Sequence, residues 1–348
     1  MLLKAVFSLD NFLITLTAYI IDLIIGDPGF IMHPVAIMGR LISITEDAAR
    51  RLAGKNSTLI KINGFIITGV NLAAALLTAF LIKKIIYLPG KNVGFVLESI
   101  LVSQMIAANG LRKESMKVYH ALKGSGCAEF SENSISENSI SENSISENSI
   151  KEARGAVSRI VGRDTENLSS EGVIKAAVET VAENFSDGVT APVLFSFLCG
   201  LSGIYLYKMI NTMDSMIGYK DEKYKEIGMC AARLDDVVNF IPARISALLM
   251  LVSGIILRFN IKNAVKVFLK YRYKHASPNS AQTESMAAGL LGIELAGDAY
   301  YFGKLYKKPK IGTALRDVDK DDIKRINRIV FLSGILIFIT GGIFWYIL

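Results

Sequence analysis

The stretch VTAPVLFSFLCGLSGIYLY, Val189–Tyr207, contains no charged side chain. A helix needs roughly 20 apolar residues to cross the hydrocarbon core of a bilayer. Gly64–Ile82 and Ile329–Leu348 are also uncharged, and the second ends in aromatic residues typical of a membrane interface. Ala5–Ile25 and Ile241–Phe259 give weaker signals because both include charged side chains. The pattern predicts an all-α, multi-pass helical membrane protein with about four or five membrane segments.

Composition supports this fold class. The 348 residues are 51% hydrophobic and carry a formal net charge of +7. Basic loops orient a membrane protein and also attract anionic substrates, and no basic-aromatic module indicates nucleic-acid binding. Three scattered cysteines without a C-x-x-C motif indicate neither a disulfide framework nor a zinc site. The first 25 residues lack a signal-peptide cleavage pattern. We expect one membrane-embedded domain over residues 1–348.

The polar residues on either side of Val189–Tyr207 present a topological choice. A simple crossing would place the two flanking clusters on opposite sides of the membrane. Pro192, Gly200 and Gly203 interrupt the stretch, and broken backbone is tolerated at membrane depth where protein or a watery cavity surrounds it. The sequence therefore favours a re-entrant or partly buried segment over a straight span.

Residues 131–150 are four copies of Ser-Glu-Asn-Ser-Ile. The five-residue period matches neither helix nor strand, and the unit is too short and polar to stack as a solenoid. We predict a disordered insertion in a surface loop, where added length costs little.

The segment VETVAENFSDGVTAP, Val178–Pro192, continues a helical stripe of charged residues. Glu171, Lys175, Glu179, Glu183 and Asp187 recur every four residues and therefore share one helix face. Glu171 can pair with Lys175, but the three acids beyond them have no base among them and repel one another. A divalent cation would relieve this repulsion, and Mg²⁺ prefers one or two carboxylates plus phosphate oxygens. A solvated acidic face or pairing with distant arginines would relieve it as well.

Three further clusters contain residue types that suit chemistry: Asp22–Ile42, Met209–Leu249 and Ser277–Gly297. Ionisable groups at a membrane boundary are costly unless they have partners or a function, although an Arg–Asp network that fixes helix ends is the structural alternative. Asp22–Ile42 supplies His33, which is a base candidate or a structural histidine, and Ser277–Gly297 contains turn residues before a helix whose N-terminus suits an anion. The polar residues concerned are Arg40, Asn211, Asp214, Ser215, Arg233, Asp235, Asp236, Asn239, Arg244, Asn279 and Glu284. P-loop, dinucleotide, zincin and nucleophile-elbow motifs do not occur in the sequence.

Together these segments resemble the adenosylcobinamide-phosphate synthase family of cobalamin biosynthesis. The resemblance is carried by GRDT, ETVAEN.SDG..AP, NT.DSM.GY, ARLDD..N.IPAR and SPN, in that order along the chain. It implies an integral membrane ligase that joins an amino alcohol, expected in its phosphorylated form, to adenosylcobyric acid as an amide. It also implies ATP as co-substrate and Mg²⁺. We expect a cell-membrane location with other membrane enzymes of the corrin pathway as partners, and the excess of Lys and Arg in Arg258–Arg328 favours the cytoplasmic side for the site.

The resemblance and the residue chemistry together suggest roles for the polar side chains. An acyl phosphate needs a metal on its phosphate oxygens and positive charge near the developing anion. The hypothesised metal ligands are Glu179, Glu183, Asp187 and Asp214. The hypothesised catalytic residues are Glu179, Glu183, Asn184, Asp187, Asp235, Asp236 and His33. The hypothesised substrate-binding residues are Arg40, Arg163, Asp164, Asn211, Ser215, Arg233, Asn239, Arg244, Asn279 and Glu284.

Two other functions fit a polar membrane protein. A transporter of a small anionic substrate would also place ionisable residues inside membrane segments, although the sequence shows no convincing inverted repeat. A non-catalytic membrane sensor with the same fold is the other alternative, which the nearly complete motif set disfavours. The ligase hypothesis requires that acids and arginines from distant segments meet in one pocket.

Overall fold

Helices form almost all of the regular structure in a computed structural model that describes residues 8–26, 33–54, 56–124, 146–219, 221–301 and 303–347. The first helices are α1 (Leu9–Ile24), α2 (Pro34–Ala53), α3 (Ser57–Ile86), α4 (Lys91–Ser103), α5 (Ala108–Leu122) and α6 (Glu147–Val157). Then come α7 (Ser170–Phe185), a π-helical turn (Ser186–Thr190), α8 (Ala191–Ile217), α9 (Met229–Val238), α10 (Phe240–Ile256), α11 (Ile261–Tyr271) and α12 (Ser280–Leu291). Four short strands follow: β1 (Glu294–Ala296), β2 (Ala299–Tyr301), β3 (Lys304–Tyr306) and β4 (Lys310–Gly312). The last described helix is α13 (Asp321–Ile347).

The chain is a multi-pass helical membrane protein, as the apolar stretches predict. Within the described ranges, four helical segments are long and apolar enough to cross a membrane: Ser57–Ile86, Lys91–Leu122, Ser170–Ile217 and Asp321–Ile347. A fifth candidate is the pair formed by α9 and α10, which is bent by 43°. Three of these segments contain the three uncharged stretches of the sequence. Helix α10 covers most of Ile241–Phe259, one of the two weaker candidates.

Two membrane assignments differ from the sequence prediction. Helix α1 has only 16 residues, fewer than the roughly 20 that a crossing perpendicular to the bilayer needs. Conversely, Lys91–Leu122 is a candidate span that the sequence analysis did not name, and Glu98 lies within its apolar run. The structure shows how that charge is tolerated, since Glu98 is fully buried among hydrogen-bond donors.

The contact pattern divides the chain into two units, where the sequence predicted one domain. The first unit comprises Met1–Asn109, Phe185–Ser246 and Gly334–Leu348. The second unit comprises Gly110–Asn184 and Ala247–Ser333.

In the first unit, helix α8 packs against α1, α2, α3, α4 and α9. Its middle is broken at Gly200, where φ is +57°, in the region that favours glycine. Glu98 braces this break: its Oε1 accepts hydrogen bonds from the Leu201 backbone N–H at 3.3 Å and from Lys83 Nζ at 3.0 Å. Oε2 accepts from the Tyr87 hydroxyl at 2.8 Å. The two halves of α8 therefore meet at a buried polar centre, at one of the three predicted breakpoints.

In the second unit, α11 packs along α12 through small residues. Any Cβ at Gly289 would lie 2.6 Å from Ala264 Cα, so glycine allows the two helices to approach closely. The Asn263 side chain donates a 2.7 Å hydrogen bond to the Gly289 carbonyl. Two antiparallel strand pairs follow α12, β1 with β4 and β2 with β3. Helix α11 and strands β1 and β4 pack against α12 and so position its start, where several polar side chains lie.

Helix α6 begins inside the last copy of the pentapeptide repeat. Ser146 is its N-cap and accepts a 3.2 Å hydrogen bond from the Ser149 backbone N–H. Glu147 lies in the first turn, where an acid favours the helix dipole. Residues 147–150 are therefore helical, in contrast to the predicted disorder, and residues 131–145 lie outside the described ranges.

Candidate active site

Helix α7 bears the acidic stripe, and its residues up to Asn184 belong to the second unit. Ser169 caps the helix by accepting from the Gly172 backbone N–H at 3.1 Å, and Glu171 pairs with Lys175 at 2.6 Å, as predicted. Two turns further on, Glu179 is 6% exposed. Its Oε2 accepts from the Arg163 guanidinium, and its Oε1 accepts from the Ala296 backbone N–H at 2.6 Å. Glu179 is therefore committed to a buried ion pair and to the end of β1.

Glu183 lies one turn beyond Glu179 and joins α7 to the start of α12. Its Oε1 accepts a 2.7 Å hydrogen bond from the Ser280 hydroxyl. Glu284 is one turn along α12 from Ser280, so it lies on the same helix face. Glu284 is 4% exposed, and its Oε2 has no hydrogen-bond partner within the described part of the chain. Burial raises the pKa of Glu284 well above its ordinary value, and the charges of Glu183 and Glu179 raise it further.

Basic groups lie beside these carboxylates. His275 Nδ1 accepts from the Ser277 backbone N–H at 3.1 Å, so the neutral ring carries its proton on Nε2. Burial lowers the pKa of His275, while the charges of Glu183 and Lys308 act on it in opposite directions. Lys308 Nζ donates to the Tyr301 hydroxyl at 2.6 Å. The second unit thus brings acids from α7 and α12 together with basic groups from connecting segments, and we call this set the carboxylate cluster (Arg163, Glu179, Glu183, His275, Glu284 and Lys308).

A separate polar network occupies the first unit. The Tyr207 hydroxyl lies 3.0 Å from the Asp187 carbonyl oxygen and 2.9 Å from Asn239 Oδ1. The Asn239 amide donates to Asp235 Oδ2 at 2.9 Å, and Asn211 approaches Asp235 Oδ1 at 3.5 Å. Asp235 and Asn239 are buried, so this network desolvates a carboxylate among amide and hydroxyl groups.

Comparison with known proteins places the chain in a family. The family model described as CobD/Cbib protein matches residues 15–130 and 127–330. This chain belongs to the CobD/CbiB family. The cobalamin biosynthesis protein CobD of Clostridium perfringens is 42% identical over 321 residues, covering 91% of this chain and 93% of the relative.

Other members of the CobD/CbiB family are similar over the same length. CobD of Klebsiella pneumoniae and CbiB of Salmonella arizonae are each 37% identical over 319 residues, covering 92% of both chains. No solved structure matches the chain. The family and its role in cobalamin biosynthesis, which the sequence motifs predicted, are therefore confirmed.

Seven of the hypothesised site residues lie in the second unit. Four of them are members of the carboxylate cluster: Arg163, Glu179, Glu183 and Glu284. Asp164 instead accepts from the Gly303 backbone N–H at 2.8 Å and so orients the β2–β3 turn. Asn184 donates to the Thr180 carbonyl of its own helix at 3.1 Å, and Asn279 is the buried N-cap residue of α12. These three positions support the local backbone around the cluster.

The remaining hypothesised residues lie in the first unit. Asp187, Asn211, Asp235 and Asn239 belong to the Tyr207 network. Ser215 donates to the Asn211 carbonyl at 2.9 Å, and the Asp214 carbonyl accepts from Gly218 at 2.8 Å. His33 caps α2 by accepting from Val35 at 3.2 Å, which is the structural alternative named for it. Arg244 lies 3.5 Å above the Phe240 ring, Arg40 and Arg233 are exposed, and Asp236 is half-buried.

The predicted meeting of all these residues in one pocket stays a prediction, because they divide between the two units. Sequence reasoning missed Tyr207, His275, Ser280 and Lys308. His275 and Ser280 flank the SPN motif, which was a usable signal for both. Tyr207 and Lys308 lie in no motif that points to chemistry.

Proposed function

We propose that this CobD/CbiB protein forms the amide bond between an aminopropanol-type amino alcohol, in its phosphorylated form, and adenosylcobyric acid, with ATP as co-substrate. Family membership supports the pathway. The single structural observation that supports a phosphoryl-handling site is the buried Glu284 carboxylate, whose Oε2 has no hydrogen-bond partner among the described residues. An orphan carboxylate oxygen in a native structure calls for a ligand or a proton to satisfy it.

The carboxylate cluster fits a magnesium ion that substrate oxygens complete. The described residues contain no group of three or more His, Cys, Asp or Glu side chains arranged to hold a metal. Mg²⁺ does not need one, because it commonly uses one or two carboxylates with water and phosphate oxygens. Glu179 is occupied by Arg163 and Ala296, so we propose Glu183 and Glu284 as the protein ligands. Bound there, the ion would supply charge neutralisation for a transferring phosphoryl group.

The proposed chemistry proceeds by carboxylate activation. A substrate propionate oxygen takes the terminal phosphoryl group of ATP, which gives an acyl phosphate and ADP. The amine nitrogen then attacks the acyl carbon, phosphate leaves, and the nitrogen loses a proton to a base. Both steps place negative charge on oxygen atoms that need nearby donors.

The basic residues of the carboxylate cluster suit that need. Lys308 supplies a positive charge, and the Nε2–H of neutral His275 supplies a neutral donor. Because Nδ1 of His275 already accepts from Ser277, the ring is not a base in this arrangement. The hypothesis that Asp235 or Asp236 is the base for the amine stays a prediction, because both residues lie in the first unit. The Arg258–Arg328 segment has 15 Lys and Arg against 7 Asp and Glu, and this supports a cytoplasmic position for the cluster.

The test is reconstitution with a matched pair of variants. Purified full-length protein receives adenosylcobyric acid, aminopropanol phosphate, ATP and Mg²⁺, and mass spectrometry follows the amide and ADP. Loss of one stabilising group at such a site costs about 10²–10³-fold in rate. We expect that loss for Glu183→Gln. Glu171→Gln, on the same helix but with a side chain that is 59% exposed, should keep wild-type activity.

Two outcomes would overturn the proposal. Equal activity of the two variants would remove the carboxylate cluster from the chemistry. No amide from the wild-type protein, together with movement of labelled amino alcohol phosphate across sealed vesicles, would establish the transporter alternative.

A further inference from the structure

Helix α11 presents a basic and apolar face that the fold leaves uncovered. Its opposite face is buried against α12 through Ala264 and Val267. The exposed residues recur at helical spacing and so form one stripe: Lys262, Val265, Lys266, Leu269, Lys270 and, just past the helix, Tyr273. Leu269 is 61% exposed and Tyr273 is 64% exposed. Water is a poor environment for such a face, since exposed leucine and tyrosine alternate with the lysines.

The charge of this helix has a single sign. Between Arg258 and His275 the sequence contains no Asp or Glu, so no acid within the segment neutralises its Lys and Arg side chains. Lys262 lies in the first turn of α11, where a cation opposes the helix dipole. The position of that charge is therefore not explained by helix stability, and an external anionic partner would account for it.

The chain connection keeps α11 near the end of a membrane segment. Helix α10, part of the bent membrane candidate, ends at Ile256, and α11 begins at Ile261. Five peptide steps reach at most about 17 Å, at roughly 3.5 Å each. The headgroup region adds roughly 5–8 Å on each side of the hydrocarbon core, so α11 begins at or close to this layer.

The aromatic residues match the same environment. Arg272 lies over both Phe268, at 5.4 Å, and Tyr273, at 4.8 Å. Lys270 lies 4.9 Å from the Tyr271 ring centroid. Tyrosines and lysines whose stems lie along apolar surface are the side chains that settle at a bilayer interface.

We propose that α11 lies in the interfacial layer of the bilayer and binds the headgroups of anionic phospholipids through Lys262, Lys266 and Lys270. Val265 and Leu269 insert into the boundary between headgroups and acyl chains, as the apolar side of an interfacial helix does. The lysine ammonium groups pair with lipid phosphates. This surface is independent of the carboxylate cluster and of the proposed ligase activity.

The test places a probe on the stripe in the full-length protein. In a background where the three cysteines are replaced by serine, Leu269→Cys is labelled with bimane and the protein is reconstituted in nanodiscs. Brominated phosphatidylglycerol and brominated phosphatidylcholine are compared as quenchers at equal mole fraction. We expect both lipids to quench the probe, with phosphatidylglycerol favoured several-fold. A basic residue near an anionic surface contributes roughly fivefold in binding.

Charge variants then identify the residues responsible. Lys262→Gln, Lys266→Gln and Lys270→Gln together should bring the preference for phosphatidylglycerol close to one while quenching by both lipids persists. The matched control replaces three exposed lysines elsewhere, Lys113, Lys151 and Lys304, and should keep the preference at the same net charge. Circular dichroism and elution volume check that each variant is folded.

Three results would overturn the proposal. Absence of quenching by either lipid would mean that the stripe faces water or a protein partner. Equal quenching by both lipids in the wild-type background would leave only apolar contact without headgroup recognition. An unchanged preference in the triple-lysine variant would assign the selectivity to other residues.

Discussion

Replacing Glu179 by glutamine is expected to destabilise the protein by about 3–5 kcal/mol, the usual cost of removing one partner from a buried ion pair. The side chains of Arg163 and Glu179 are only 16% and 8% exposed, so water screens the pair weakly. A glutamine keeps one carbonyl oxygen for the Ala296 N–H, but its NH₂ group then faces the guanidinium. One charge-assisted hydrogen bond, worth about 1.5–3 kcal/mol, is lost, and Arg163 stays buried without a counter-charge.

The matched control for Glu179→Gln lies on the same helix. Glu171 pairs with Lys175, but its side chain is 59% exposed. A solvent-exposed pair contributes about 1 kcal/mol at most, so Glu171→Gln should cost no more than that. Equilibrium unfolding of purified protein in mixed detergent–SDS micelles, followed by circular dichroism, compares the two variants.

Replacing both partners separates the ion pair from the packing of its side chains. Arg163→Met combined with Glu179→Leu should recover most of the stability lost in Glu179→Gln, because no buried charge is then left alone. Indistinguishable losses for Glu179→Gln and Glu171→Gln would refute the reasoning. So would a double variant that is less stable than Glu179→Gln.

Three further predictions concern other parts of the chain. Burial holds the pKa of His275 below its ordinary value near 6.5, so the unfolded chain binds the proton first and stability falls on acidification below that pH. His275→Gln should flatten this acid loss in unfolding titrations, and an unchanged acid loss in that variant would contradict the prediction. Gly228→Ala should cost about 1–3 kcal/mol, since its Cβ would overlap the Ile217 carbonyl oxygen. Gly69→Ala, which meets nothing within 4 Å, should be neutral or stabilising by up to about 1 kcal/mol in the same assay. Glu98→Gln should cost about 1–3 kcal/mol through its buried hydrogen bonds, and an unchanged midpoint would contradict them.

Local signals predicted helix α7 well. Spacing of four residues placed Glu171 beside Lys175 and put Glu179 and Glu183 on a shared face, because all four lie on regular α-helix. The same counting carried Asp187 onto that face, but the π-helical turn at Ser186–Thr190 changes the spacing of hydrogen bonds there. No residue type in the segment is specific for a π turn, so the periodicity of the sequence alone could not predict it.

Long-range partners explain most of what the sequence did not reveal. The sequence analysis did not name the membrane segment that contains Glu98. Lys83 and Tyr87, which belong to the preceding segment, satisfy its carboxylate in the structure. Likewise, Lys308 lies in the connection between β3 and β4, and in the fold its charge acts on His275 and Glu284. Such contacts depend on tertiary packing, which a linear pattern of residue types does not specify.

The serine cap of helix α6 makes the start of that helix independent of the number of repeat units. All four units read Ser-Glu-Asn-Ser-Ile, so each contains the serine and the glutamate that the helix start uses. Adding or removing whole units would therefore leave an identical capping serine and first-turn glutamate directly before Lys151.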